Sequence, residues 1–380
     1  MWNYKSINVL FLIYDLERGG PEMRLLDLQR RIPASIKMHI CVTSKNLALL
    51  NEFLEAGARV HVEPVTKGYL ELNKAWRIYK YVKTNHISIV NSFALKELFL
   101  STAIKVMSGW KIKNVHHLVD LLHQYGPLRK FFLVILLRLT DKVLCNSQKS
   151  SELIRTYFVP ERKIFLIRNG IDIDSFRKAA PQTERFRKTH GIGENDFVIG
   201  TVANFRKVKN YPFLMNAFSI LFQRNKNLKL ICVGGGYGLS DIKRMALEYH
   251  LEGSVIFTGY SRHVAVYLSL MDIFVLCSLK EGFPNVLLQA MTMSLPVVSA
   301  NVGGCPEIID HNENGILYPS NNLGKFIEAI ETLTTDTDFS RRLGFNAKRT
   351  VEERFSLDRM INKYITFYNK LLGFPNDSIT

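Results

Sequence analysis

The chain has 380 residues, is 47% hydrophobic and carries a net charge of +16. That length implies two domains, and the apolar content, with 24 Phe and 15 Tyr, excludes a disordered chain. Five scattered cysteines without a C-x-x-C pair exclude a disulfide framework and a structural zinc site, and imply a reducing cytoplasm.

The longest apolar run of the N-terminal half, Phe131 to Leu137, falls far short of the roughly 20 residues that span a bilayer. Ile7 to Tyr14 is apolar too, but Asp15 and Glu17 follow it, so no signal peptide is expected. Most of the excess of Lys and Arg lies before residue 176. A basic half attracts phosphate or an anionic membrane surface; with no recognised nucleic-acid motif, nucleic acid is not an expected partner.

Ile7–Ile13 predicts a buried parallel strand. Gly19-Gly20 follows, then a helix from Pro21 with Glu22 in its first turn. Met38–Thr43, Arg59–Val62, Ile87–Val90 and Val143–Asn146 read as strands. Leu47–Glu55, Leu72–Lys83 and Leu95–Met107 read as helices, an alternation that predicts a doubly wound parallel sheet. Asn114-Val-His-His-Leu118 ends a further strand and places a histidine at a carboxyl edge, where such sheets bind ligands. Gly126–Arg138 is basic and apolar on every face, which predicts an interior helix rather than a membrane-surface one. A polar stretch, Arg177 to Asp196, is the expected hinge.

A second strand–helix series begins at Phe197–Ala203. Arg206, Lys207 and Lys209 follow that strand and precede a helix, a place where cations can grip phosphate. The glycines at 234, 235, 236 and 238 suggest a dinucleotide loop but fail in detail. Leu239 stands at the third glycine position, and no acid ends the strand Val255–Gly259.

The most informative stretch is Ser278 to Met291, after the apolar run Ile273–Cys277. It predicts a turn at Glu281-Gly282, Pro284 as first helical residue, and a helix burying Val286, Leu287, Ala290 and Met291. Its N-terminus suits a phosphate. Glu281 stands at the mouth and Gln289 about two turns further in, flanking groups that suit the hydroxyls of a nucleotide-sugar.

This stretch resembles the E-x7-E signature of the retaining GT-B glycosyltransferases of family 4, of bacterial surface-polysaccharide type. Gln289 stands where that signature has its second Glu. Further resemblances are the Gly19-Gly20-x-Glu22 loop, Arg168-Asn-Gly-Ile-Asp-x-x-x-Phe176, Arg206 with Lys209, Val-Gly234-x-Gly, and Val302-Gly-Gly-x-Pro-Glu307. The resemblance covers nearly the whole chain. It implies two Rossmann-like doubly wound parallel-sheet domains facing each other across a cleft. The first would span residues 1–176, the linker 177–195 and the second domain 196–359, with a tail helix of about 360–380 packing back on the first.

The implied function is metal-independent transfer of a sugar from a nucleoside-diphosphate-sugar, UDP- or GDP-linked, to an acceptor hydroxyl, with the anomeric configuration retained. The implied acceptor is a lipid-linked surface glycan, the implied location cytoplasmic and peripheral on the plasma membrane, and no cofactor or metal is expected. Glu281 would orient the donor sugar, and His117, with His116 as the alternative, would touch it from the first domain. Arg206 and Lys209 would offset charge on the diphosphate, with Gly19 and Gly20 approaching it. Tyr260 would line the base pocket, and Gly234, Gly282, Phe283, Pro284, Asn285, Val286 and Gln289 would complete the donor site. Domain closure would exclude water. The altered Gln289 leaves a second expectation open, a nucleotide-sugar-binding protein impaired in transfer.

Overall fold

The structure, a computed structural model, describes residues 6–17, 19–63, 72–118, 126–178 and 183–374. It divides into two compact units: unit 1 runs to Asn169 and resumes at Leu357, and unit 2 is Gly170–Ser356. The division thus falls before the expected linker. Ile171, Ile173 and Phe176 join the core of unit 2, and the Ile171 N–H donates to Phe355 O at 3.0 Å. Apolar side chains give this stretch a core to join. Inside the expected linker Thr183–Thr189 is helical and Phe186 packs on the same core; its residues 179–182, and 375–380 of the expected tail, lie outside the described residues.

Unit 1 holds β1 (Ile7–Ile13), β2 (Ile36–Val42), β3 (Arg59–Val62), β4 (Ile89–Ser92), β5 (Lys113–Leu118), β6 (Lys142–Cys145) and β7 (Ile164–Leu166). They form one sheet in the order β3-β2-β1-β4-β5-β6-β7, and every pair is parallel. Right-handed crossovers then put α1 (Gly20–Arg31) and α2 (Leu50–Glu55) on one face. The same rule puts α3 (Leu72–Thr84), α4 (Leu95–Met107), α5 (Pro127–Leu139) and α6 (Gln148–Arg155) on the other. The apolar clusters agree: α1 and α2 share one, while α3 to α6 contribute to two others.

One helix departs from expectation. Only Leu133 and Leu137 of α5 are buried, whereas Leu128, Phe131, Phe132, Ile135 and Leu139 are exposed. A helix laid on one face of a sheet has a single inward side, so an all-round apolar sequence leaves the remainder outside.

Unit 2 holds α7 (Ile173–Lys178), α8 (Thr183–Thr189), β8 (Phe197–Val202), α9 (Tyr211–Arg224), β9 (Leu228–Val233), α10 (Leu239–Glu248) and β10 (Val255–Gly259). Next come α11 (Val264–Leu268), β11 (Ile273–Leu276), α12 (Asn285–Thr292), β12 (Val297–Ala300), α13 (Cys305–Ile308), β13 (Ile316–Tyr318), α14 (Leu323–Thr335) and α15 (Thr337–Arg354). The sheet order is β10-β9-β8-β11-β12-β13, again all parallel.

Finally α16 (Leu357–Leu372) returns to unit 1. Its Leu357, Met360, Ile361, Tyr364, Phe367 and Tyr368 are buried in the core shared with α1. Full burial of such side chains stabilises by roughly 1.5–3 kcal/mol each. The two sheet orders reverse between β1 and β4 and between β8 and β11, the positions where open parallel sheets bind ligands beyond their strand ends.

Candidate functional site

At the reversal in unit 2 the loops leaving β8 and β11 meet. The Leu279 N–H donates to Val208 O at 2.8 Å. The β8 loop is anchored by Phe205, which is buried and stacks on Tyr211 with centroids 4.0 Å apart. The Phe205 N–H donates to Gly235 O, and Phe205 O accepts from Gly238 N–H. The Tyr211 hydroxyl closes the loop by donating to Ala203 O at 2.7 Å. Arg206 and Lys209 therefore leave a rigid turn, and Asn210 in the left-handed region (φ 57°) starts α9.

The β11 loop supplies the carboxylate. Lys209 Nζ donates to Glu281 Oε1 at 2.5 Å, and the Ser278 hydroxyl donates to the same oxygen at 2.6 Å. The pair is partly shielded, its side chains 23% and 10% exposed. Charge assistance makes such bonds about twice as strong as neutral ones. Arg206 is exposed on the same turn as Lys209, whose backbone N–H donates to the Arg206 carbonyl at 2.9 Å. The expected clamp and the expected sugar-orienting carboxylate are thus joined directly.

Close backbone packing fixes Glu281 from behind. A Cβ at Gly303 would fall 1.7 Å from Glu281 O, and one at Gly304 2.4 Å from Gly282 O. On the other side Gly234 has φ 148°, and a Cβ there would meet Ala203 O at 2.1 Å. The Gly234 N–H donates to Gly259 O, and Tyr260, 57% exposed, stands against Gly235. Tyr260 therefore borders the glycine loop.

Of the remaining expected donor contacts, Phe283 is buried and packs on Phe355, so its side chain serves the core. Pro284 precedes the helix instead of beginning it; α12 starts at Asn285, and Pro284 O accepts from Leu287 N–H. Val286 is half-buried and Leu288 takes its place inside. Gln289 is half-buried at the start of the second turn of α12. Among the described residues no group of three or more His, Cys, Asp or Glu could hold a metal ion. Burial pushes the thiols of Cys277 and Cys305 up to about 12, which leaves them inert.

In unit 1, Gly19 caps α1 and Gly20 begins it. The Glu22 carboxylate lies back over Gly19, where a Cβ would be 2.3 Å from Oε2. Burial raises its pKa to about 7. His117 does not present itself as a ligand contact. It is buried, and both ring nitrogens are engaged: Arg24 at 3.3 Å on Nδ1 and Asn91 Oδ1 at 2.8 Å on Nε2. A guanidinium only donates, so Nδ1 accepts and the proton sits on Nε2. Burial holds the ring well below its usual pKa, with Arg24 adding to the effect. Arg24 also donates to Asn169 Oδ1 at 3.0 Å. His116 is buried beside it, with Nδ1 3.1 Å from the Ser92 hydroxyl.

The structure adds residues that the motifs did not single out. Ser278 lies inside the quoted stretch, yet its bond to Glu281 depends on the turn between them. Gly303 and Gly304 were visible as a motif, but not as the backing of Glu281. Arg24 and Asn91 partner His117, and Asn169 partners Arg24, across long sequence separations that no local pattern reveals.

Two family sequence models match the chain: "Glycosyltransferase Family 4" over residues 18–175 and "Glycosyl transferases group 1" over residues 182–350. The N-acetyl-alpha-D-glucosaminyl L-malate synthase of Bacillus anthracis is 30% identical over 56% of this chain and 55% of its own length. The UDP-Gal:alpha-D-GlcNAc-diphosphoundecaprenol alpha-1,3-galactosyltransferase of Escherichia coli is 23% identical over 84% of this chain and 86% of its own. Among solved structures, Anabaena HepE in complex with UDP-glucose superposes with a TM-score of 0.85 at 20% identity, covering 96% of this chain and all of that one (100%).

Proposed function

The chain belongs to glycosyltransferase family 4 and has the GT-B fold, and we propose that it is a retaining transferase using a UDP- or GDP-linked sugar. Its acceptor in this reading is a hydroxyl of a lipid-linked surface glycan, in keeping with the diphosphoundecaprenol substrate named for the E. coli relative. The observation that carries the reading is the Lys209–Glu281–Ser278 cluster at the β8/β11 reversal.

The chemistry follows from those groups. The bond from the sugar's anomeric carbon to the diphosphate breaks while the acceptor oxygen bonds that carbon on the same face. The acceptor's proton passes to the departing diphosphate. Arg206 and Lys209 offset the charge that grows on the diphosphate, a transition-state interaction of the kind that lowers barriers most. Glu281, held by Ser278, accepts from sugar hydroxyls. Tyr260 flanks the base and Gln289 holds a ribose hydroxyl. With two cations in this role, turnover does not depend on a divalent metal. The proposed setting is the cytoplasmic side of a membrane; among the described residues no helix is long and apolar enough to cross one.

The test is release of nucleoside diphosphate from UDP-, GDP- and ADP-sugars with a polyprenyl-diphosphate glycan acceptor, with and without EDTA. Product configuration is read by NMR. Transfer with retention that persists in EDTA is the expected result. Loss in EDTA restored by Mg²⁺ or Mn²⁺ sinks the metal-independent part. Nucleotide binding without transfer under any condition supports the reading that Gln289 motivates, a nucleotide-sugar-binding protein.

A further inference from the structure

The outer face of unit 1 has no part in the chemistry above. At 100° per residue, Leu128, Phe131, Phe132, Ile135 and Leu139 of α5 fall within one stripe about 100° wide, opposite the buried Leu133 and Leu137. Phe131 is 62% exposed and Phe132 52%. Arg129 and Arg138 fall on either side of the stripe. Neighbouring helices on this sheet face continue the pattern. Trp76 on α3 and Trp110 just beyond α4 are about half exposed, each with a lysine over its ring, Lys80 at 5.6 Å and Lys105 at 5.2 Å.

Beside the C-terminal end of α5 lies a cavity of about 360 Å³ lined by Trp110 and Leu139 and by five cations, Lys105, Arg138, Lys142, Arg162 and Lys163, against one carboxylate, Asp141. Lys105 pairs with Asp141 at 2.7 Å. Lys163 donates to the carbonyls of Arg138 and Thr140, and Lys105 to that of Leu139, so the last turn of α5 is tied to the cavity wall. Carbonyl bonds hold these lysines without neutralising them. Burial lowers the pKa of Lys142 and of Lys163, and neighbouring cations lower both further. The cavity is thus short of negative charge.

We propose that the outer face of α5 docks on a bilayer of anionic phospholipid, its apolar stripe entering the headgroup boundary while the cationic cavity takes a lipid phosphate. An apolar strip flanked by cations, with tryptophans carrying lysines beside it, is the arrangement that the boundary between acyl chains and headgroups selects. At 13 residues α5 is about 20 Å long, too short to cross the roughly 30 Å of hydrocarbon, so it lies in the surface. Net charge alone would predict attraction to any anionic surface; the stripe and cavity assign the contact to one face. The proposal stands apart from the transferase reading, because vesicle binding is measured without turnover.

The experiment is cosedimentation of the full chain with phosphatidylcholine vesicles, with and without phosphatidylglycerol, at low and high salt. Phe131→Ser/Phe132→Ser and Arg138→Gln/Arg162→Gln are compared with the parent, with melting curves as the folding control. Leu128→Ser serves as a second apolar variant should the first melt early. Binding to the anionic vesicles should be tighter by roughly tenfold or more and salt-sensitive, and each lost cation should weaken it roughly fivefold. The phenylalanine pair should weaken binding roughly tenfold at every salt concentration. Quenching of Trp110 by brominated lipid, lost in Trp110→Leu, would place the cavity rim at the surface. Equal binding to neutral vesicles, or full binding by folded variants of both kinds, overturns the proposal. So does thermal stabilisation by inorganic phosphate or glycerol phosphate without vesicle binding, which would make the cavity a site for a soluble anion. A dimer dissolved by the phenylalanine variants, with no vesicle binding, would assign the stripe to a second copy instead.

Discussion

The two units share a parallel-sheet plan and place their polar groups in opposite ways. Unit 2 sets Lys209, Glu281 and Ser278 at the ends of its strands, joined to one another and partly open to solvent. Unit 1 sets Arg24, Asn91 and His117 within its interior, in a closed relay where each ring nitrogen of His117 has a partner. A partly open pair can exchange a partner for a ligand's hydroxyl or phosphate at small cost. Breaking the closed relay leaves a buried polar group unsatisfied, at about 1–3 kcal/mol. Hydrogen-bonded polar clusters therefore suit ligand exchange in one unit and architecture in the other.

The largest expected effect tests the chemical half of that contrast. Arg206→Ala, Lys209→Ala and Glu281→Gln should each lower kcat by one to about three powers of ten, since about 1.4 kcal/mol of lost transition-state stabilisation is tenfold. Melting temperatures should move little, because none of these side chains holds a core. Lys209→Ala and Glu281→Gln share one hydrogen bond, so the double variant should lose less than the product of the single losses. Multiplicative losses in steady-state kinetics would show that the pair does not act as a unit.

His117→Ala tests the architectural half. It should cost about 3 kcal/mol of stability, as Arg24 and Asn91 lose a buried partner, while kcat of the folded fraction stays within a few-fold. Denaturant unfolding and activity at low temperature separate the two. A large loss of kcat with unchanged unfolding would restore the sugar contact first expected of this histidine.

The candidate site of unit 2 was readable in the sequence because its parts are local. Glu281, Gly282 and α12 follow one strand without interruption, and Arg206 and Lys209 share one turn after another. Boundaries between strand and helix were placed within a few residues for the same reason, since apolar runs and turn residues are local signals. What failed depends on distance or on sidedness. The partners of His117 lie 93 and 26 residues away. The direction that α5 faces is absent from a sequence apolar all round. β7 has three residues, too few for a pattern. Gly170–Phe176 carries a recognisable motif, yet its unit is shown by distant contacts, the packing of Ile171, Ile173 and Phe176 on the unit 2 core and the pairing of Ile171 with Ser356.

Glu22 sharpens the comparison through pH, because it is a carboxyl near the strand ends of unit 1 whose charge the fold disfavours. Its pKa is raised from 4.5 to about 7, first by burial and further by Asp15. The folded state then holds a proton that the unfolded chain releases between those values. The stability from this group is fully present below pH 4.5 and is lost as pH rises toward 7. Glu22→Gln should remove a pH-dependent loss of about 3 kcal/mol over that window, one pKa unit being about 1.4 kcal/mol. The check is urea unfolding of both chains across the window. An unchanged slope in the variant would mean that Glu22 ionises as an ordinary surface carboxylate does.

The smallest effect concerns Gln289, half-buried at the start of the second turn of α12. A carboxylate at this place offers two acceptor oxygens and a charge; an amide offers one acceptor oxygen and two donor hydrogens. In the proposed donor pose Gln289 holds one ribose hydroxyl without charge assistance, which is worth roughly 1 kcal/mol less per altered bond. The ribose is remote from the bond being broken, so the loss falls equally on ground state and transition state. It therefore belongs in KM and not in kcat. Gln289→Glu should lower KM for the donor several-fold and leave kcat unchanged, the reverse of the pattern predicted for Glu281→Gln. Steady-state kinetics on both variants with one confirmed donor read the two patterns side by side. A rise in kcat on Gln289→Glu would place this residue nearer the reacting carbon than the ribose. Activity that appears only in Gln289→Glu would make the parent chain a nucleotide-sugar-binding protein and remove the transferase assignment from it.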